Sequence, residues 1–339
     1  MSNAIENGAK QAVVNCLKVR SGENVVIVTD RDTEKLGGAL KLQAENVGAE
    51  VQMFVMENYG DRPDDGNNPI QFPSEIGNAL KGAQVSFYIA QGKKGELQSF
   101  RIPMIKEVEA NNIRHGHMPN FIEDMMSQGM ASDYAKIQEI SKKVYDIASK
   151  AKEIHVTTSA GTDVTAKFDQ KFKWIICDGN IQPGAWSNLP DGEVFSVPVD
   201  VNGKVVIDGC LGDFFNKKYG DLSGTPVSYD VKDGRCIKGS VTCSNEKLKN
   251  EFEEYTFNTD ENSNRVGEFA IGTNIGLNKL ICNLLQDEKF PGVHIALGDA
   301  YSDKTGAEWT SQAHNDGVMR NVTIEVDGKK IMENSKFLI

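Results

Sequence analysis

The sequence contains no run of about 18 apolar residues, so no membrane-spanning helix is expected. Its six cysteines, Cys16, Cys177, Cys210, Cys236, Cys243 and Cys282, are scattered without a Cys-x-x-Cys pair. That spacing argues against a cysteine-built structural zinc and fits reduced thiols. There is no excess of positive charge: 37 Lys and Arg against 48 Asp and Glu leave a net charge of −11. A nucleic-acid partner, which needs a basic face, is therefore not expected, whereas a site that attracts cations is compatible with this balance. The first residues, Met-Ser-Asn-Ala-Ile-Glu-Asn-Gly, show no basic stretch ahead of an apolar core, and the expectation is a cytoplasmic chain without a membrane anchor. Histidine is scarce as well, with five in 339 residues.

What is present falls into two textures, and a length of 339 residues suits about two domains. Residues 1–150 alternate strand-like and helix-like segments. An apolar run at 23–30 is followed by helical spacing over Thr33 to Val47, closed by Gly48, and by a second strand at 51–56. This is a βαβ unit. Further helices are predicted over 74–80, 96–110 and 134–151, with a strand over 85–90 between the first two. The first strand ends in Thr29-Asp30-Arg31-Asp32 and lacks a glycine-rich phosphate turn, so this α/β domain with a parallel sheet reads as a scaffold and dimer element.

Residues 151–339 read as a mainly antiparallel β domain with a few helices. Strand candidates at 154–158 and 163–168 flank Ala160-Gly161, and those at 322–326 and 330–332 flank Asp327-Gly328. Others lie at 194–199, 205–208, 227–231 and 236–241, and helices are predicted over 247–252 and 278–284.

The residues suited to chemistry concentrate in this second region. His314 and Asp316 are two apart, so on a strand both side chains project from one face. Such a pair offers a neutral nitrogen and an anionic oxygen, which suits zinc, cobalt, manganese or iron. His294 opens the apolar run His-Ile-Ala-Leu-Gly. Glu193 and Glu268 lie in apolar strand-like segments, where a carboxylate is costly to bury unless it is paired or binds a metal. His115 and His117 form a second pair at strand spacing without a nearby acid, and Pro119 behind them suggests a helix start. A structural or substrate-lining role fits them better than metal binding. His155 reads as a β-surface residue.

Four motifs follow in one order: Leu-Pro-Asp-Gly-Glu193-Val-Phe, Gly-Glu268-Phe-Ala-Ile-Gly-Thr-Asn, His294-Ile-Ala-Leu-Gly-Asp-Ala-Tyr301, and Ser-x-x-His314-x-Asp316. In this order they resemble the thermophilic-type metalloaminopeptidases, the aminopeptidase T or M29 group. The resemblance implies two divalent metal ions (zinc, cobalt or manganese) held by Glu193, Glu268, His294, His314 and Asp316. It also implies a catalytic hydroxyl on Tyr301, a proton-shuttling role for Glu193 or Glu268, and a homodimer that removes N-terminal residues from small peptides or amino-acid amides. The ring-cleaving dihydroxypyridine dioxygenases resemble the same group. They imply an alternative, in which His294, His314 and Asp316 hold one Fe(II).

Overall fold

The structure, a computed structural model, describes residues 3–339. The chain divides into two compact units: the residues up to Ala135 with Gly179–Asp191, and Lys136–Asp178 with Gly192–Ile339. The first changeover therefore falls at residue 135 rather than 150, and the helix Tyr134–Ala148 lies almost wholly in the second unit.

In the first unit the predicted βαβ pattern appears as parallel strands. Their order across the sheet is Glu50–Val55, Asn24–Thr29, Val85–Ala90, Arg114–Pro119 and the short Trp186–Asn188. The crossover helix Glu34–Val47 ends at Gly48, whose φ of 93° is a conformation that glycine adopts without strain. Pro119, expected to begin a helix, instead closes the fourth strand. A helix at Asn3–Lys10 continued by a π-helical segment, Gln11–Cys16, was not anticipated; its buried face is only Ile5, Gly8, Ala9, Ala12, Val13 and Cys16.

Sheets with this strand order bind ligands at the switch point, beyond the carboxyl ends of the first and third strands. Here that place is filled by the protein itself. Arg62 lies 2.8 Å from Asp30, forks onto both Glu96 oxygens at 2.8 Å and reaches Glu57 at 3.1 Å. Asp30 also accepts the Gln91 N–H at 2.6 Å, tying the two strand ends together. The side chains of Arg62, Asp30 and Glu96 are almost fully buried in this ionic plug.

The second unit contains two antiparallel sheets. The larger includes the hairpins Glu153–Thr158 with Asp163–Lys167 and Val322–Val326 with Lys329–Glu333, turning at the expected Ala160-Gly161 and Asp327-Gly328. The smaller runs in the order His314–Val318, Gly292–Gly298, Val266–Gly272, Glu193–Ser196, Ile175–Cys177. Phe269, Ile271, Val293, Ile295 and Leu297 of this sheet join one core with Val156, Val164, Val205 and Ile324 of the larger.

Two expected elements are corrected. Residues 278–284 form a loop that reaches helix only at Leu284–Asp287. The buried Asp287 carboxylate accepts the N–H groups of Ile281 and Asn283, which removes the demand for helical partners. The strand expected over 236–241 stops at Cys236, because a turn at Ile237–Ser240 intervenes. Conversely, the helix expected over 247–252 runs from Glu246 to Asn258, capped by the Asn245 side chain on the Lys247 and Leu248 N–H groups.

Candidate metal centre

Strand register alone gathers the five candidate ligands on one face of the smaller sheet. His294 pairs with Ala270, Glu268 with Ala296, Asp316 with Ala296, His314 with Gly298, and Glu193 with Gly272. Because paired residues and alternate residues share a face, all five side chains project to the same side. The positions between them are Ala270, Gly272, Ala296 and Gly298, small residues that leave the space above the sheet open. Gly298 has a φ of 120°, and a Cβ there would meet the Ala313 carbonyl oxygen at 2.1 Å. Only glycine lets the His294 and His314 strands close this tightly.

The donor atoms converge. His314 Nε2 lies 3.2 Å from Glu268 Oε2 and 3.4 Å from Asp316 Oδ1. His294 Nε2 lies 3.6 Å from Glu193 Oε2, 3.7 Å from Glu268 Oε1 and 3.9 Å from Asp316 Oδ1. Glu268 thus offers one oxygen to each histidine. Grouped by mutual proximity within 4.8 Å, Glu193, Glu268 and His294 form one set, and Glu268, His314 and Asp316 another. Among the described residues no such set contains both histidines.

Outer contacts orient these groups. His314 Nδ1 sits 3.2 Å from the Asp299 carbonyl oxygen, to which its N–H donates, and this turns Nε2 toward the carboxylates. The His314 N–H donates to the Tyr255 hydroxyl at 3.2 Å. Tyr301 has a left-handed backbone, φ 46°, fixed by its N–H donating to Asp299 and by the short helix that follows. Its ring packs against His314 and, edge-on, Phe195, which brings the hydroxyl to 3.3 Å from His314 Nε2.

Two neighbours were not anticipated. Lys289, 2% exposed, places its ammonium 2.6 Å from Glu193 and 2.7 Å from Glu288. Glu288 in turn groups with His294 and Asp316. The charged run Gln-Asp-Glu-Lys ahead of Phe290-Pro291-Gly292 has the composition of a solvated turn. Its position directly before the His294 strand is the one signal that could have marked it.

The electrostatics are those of crowded acids. Burial opposes charge on both histidines, yet the surrounding carboxylates overcome it: Glu268, Glu193 and Asp316 push His294 up to about 9. His314 is likewise driven well above the ordinary histidine value, by Asp316 and Glu268. Burial, reinforced by Glu193 and Asp316, pushes Glu288 up to about 8 against the pull of Lys289. Burial followed by the charges of Glu268 and Asp316 keeps the Tyr301 hydroxyl protonated far above its usual range.

His115 and His117 lie in the first unit's sheet, in a relay of their own. Arg101 donates to His117 Nε2 at 2.7 and 3.1 Å. His117 Nδ1 must then donate to His115 Nε2 at 3.1 Å, and His115 Nδ1 to Ser86 at 2.8 Å. An arginine at one end leaves no lone pair for a metal, so the relay is structural. His155 sits on a sheet surface 2.8 Å from Asp163.

Residues 127–332, more than half of the chain, match the sequence model of the thermophilic metalloproteases, M29. The chain belongs to that family. The M29 match spans every residue of the centre, and membership implies a divalent metal. The fold is also that of two solved structures. One is 2,5-dihydroxypyridine dioxygenase from Pseudomonas putida KT2440, with a TM-score of 0.70 and 15% identity over 100% of this chain and 98% of that one. The other is wild-type AmpT from Thermus thermophilus, with a TM-score of 0.68 and 16% identity over 99% of both chains. At these identities the likeness is one of fold. No curated protein matches this M29 chain in sequence.

Proposed function

We propose that this M29 chain is a two-metal aminopeptidase, with Glu193, Glu268, His294, His314 and Asp316 as ligands. The observation that supports the reading is that Glu268 belongs to a set of mutually close donors with each histidine, while among the described residues no set holds both histidines. Tetrahedral zinc with bonds of about 2.0–2.1 Å sets neighbouring donors about 3.3–3.4 Å apart, and the separations of 3.2 and 3.4 Å around His314 fit this closely. The Glu193 Oε2 atom is buried without a hydrogen-bond partner, as suits an acceptor reserved for a cation.

A facial triad places both histidines on one ion, whereas among the described residues no set of mutually close donors contains both. The dioxygenase reading is the weaker on that count.

When bound, divalent ions would supply a water acidic enough to attack at neutral pH and would polarise the scissile carbonyl. The protein's own groups complete the reaction. In this reading the protonated Tyr301 hydroxyl donates a hydrogen bond to the oxyanion of the tetrahedral intermediate. Glu193 or Glu268 passes the water's proton to the leaving amine. The acidic centre favours a substrate whose free amino group is cationic or metal-seeking, which restricts cleavage to N-terminal residues. The substrates proposed are small peptides and amino-acid amides, acted on by a cytoplasmic homodimer. Amide release from an amino-acid amide and from its N-acetylated form separates the possibilities. The free amine is expected to be cleaved and the acetylated form left intact; equal rates on both would defeat the aminopeptidase assignment.

A further inference from the structure

Among the described residues, Lys289 is the lysine lodged against the acids of the centre, and the fold delivers it there. Its carbonyl accepts the Asn274 N–H at 3.0 Å, and the following Phe290 carbonyl passes so close to Gly272 that a Cβ on that glycine would lie 2.0 Å from it. Gly272 pairs with Glu193 across the sheet. This close approach sets the Lys289 ammonium 2.6 Å from Glu193 Oε1 and 2.7 Å from Glu288 Oε1, with 3% of the side chain exposed. The remaining Glu193 oxygen, Oε2, faces His294 without a hydrogen-bond partner.

The two halves of the centre are therefore unequal. The Lys289 ammonium contacts Glu193 and Glu288, so in the half formed by Glu193, Glu268 and His294 one carboxylate oxygen is already held by a cation. A permanent positive charge at contact distance lowers the attraction of that half for a dication, and the effect is large because the site is buried. We propose that Lys289 is a positioning residue, the resident counter-ion of the centre, which makes the Glu193–His294 half bind its divalent ion more weakly than the Glu268–His314–Asp316 half. Filling is then ordered: the second half loads first, and occupancy of the first sets the fully charged state. The inference rests on the two-metal reading above.

Cobalt(II) titrated into the chelator-stripped full-length protein, followed by calorimetry, tests it without any activity measurement. The unaltered chain is expected to take up two ions in steps separated by at least about tenfold in affinity. Lys289→Met is expected to tighten the weaker step by at least about tenfold and draw the two together, while Lys289→Arg retains the separation. Glu288→Gln leaves the ammonium to Glu193 alone and is expected to loosen the weaker step more than the tighter one, an arm that does not depend on the methionine variant folding. Two ions bound with equal affinity by the unaltered chain, or steps unmoved in Lys289→Met and Glu288→Gln, would overturn this inference and leave the two-metal reading standing. Uptake of one ion or none by the unaltered chain would overturn both.

Discussion

At the scale of single residues, the centre depends on side chains whose surroundings fix their state. Tyr301 stands in a left-handed backbone that most non-glycine residues avoid, at a cost of about 1–3 kcal/mol, and the turn around Asp299 and Thr305 sustains it. A conformation kept against its cost, with the hydroxyl 3.3 Å from His314, is consistent with a working group. Tyr301→Phe is accordingly expected to lower kcat by about 10²–10³-fold with metal content unchanged, since only the oxyanion donor is lost. A variant retaining more than half of the activity would remove Tyr301 from the mechanism. The five proposed ligands stood out in the sequence because a carboxylate inside an apolar strand and a His-x-Asp spacing are both unusual. Lys289 and Glu288 did not, since a charged turn looks the same whether it faces water or a buried centre. Only the close approach of Phe290 to Gly272, a long-range event, decides which.

At the scale of elements, the parallel sheet of the first unit is held by buried polar groups as well as by its apolar faces. Arg62 neutralises Asp30 and Glu96 in nearly dry surroundings. Arg62→Met leaves those carboxylates uncompensated and is expected to cost about 3–5 kcal/mol in denaturant unfolding. A loss below about 1 kcal/mol would mean that water reaches the cluster. The His115–His117 relay gives this sheet a pH dependence. Burial, followed by the charge of Arg101, depresses His115 from 6.5 to about 3, so the folded state holds it neutral. The unfolded chain then binds more protons between these values. Stability is full above about pH 6.5 and falls as the pH drops, by up to about 1.4 kcal/mol per unit for each such histidine. His115→Gln is expected to flatten the slope measured from about pH 6.5 to about pH 4.5; an unchanged slope would show that His115 is already protonated in the fold. Periodicity revealed these strands and the crossover helix, since apolar spacing is a local property. It misplaced the helix at 278–284, where Asp287 supplies partners to the backbone from further along the chain.

At the scale of the whole chain, the two compact units are not divided by a single cut. Gly179–Asp191 returns to the first unit and places Trp186–Asn188 at the edge of its sheet. A three-residue strand carries no periodicity to read, so the return is invisible until the fold is known. The second unit contains the whole centre, within the span that matches the M29 family. Among the described residues no helix is long and apolar enough to cross a membrane. The proposed two-metal chemistry depends on the number of ions the centre takes. Metal analysis of the purified protein, paired with an amide-release assay on an amino-acid amide, measures it directly. Two zinc, cobalt or manganese ions per chain with amide cleavage is the result this account predicts. One iron per chain, with oxygen consumed on a dihydroxylated ring and no amide cleaved, would contradict it.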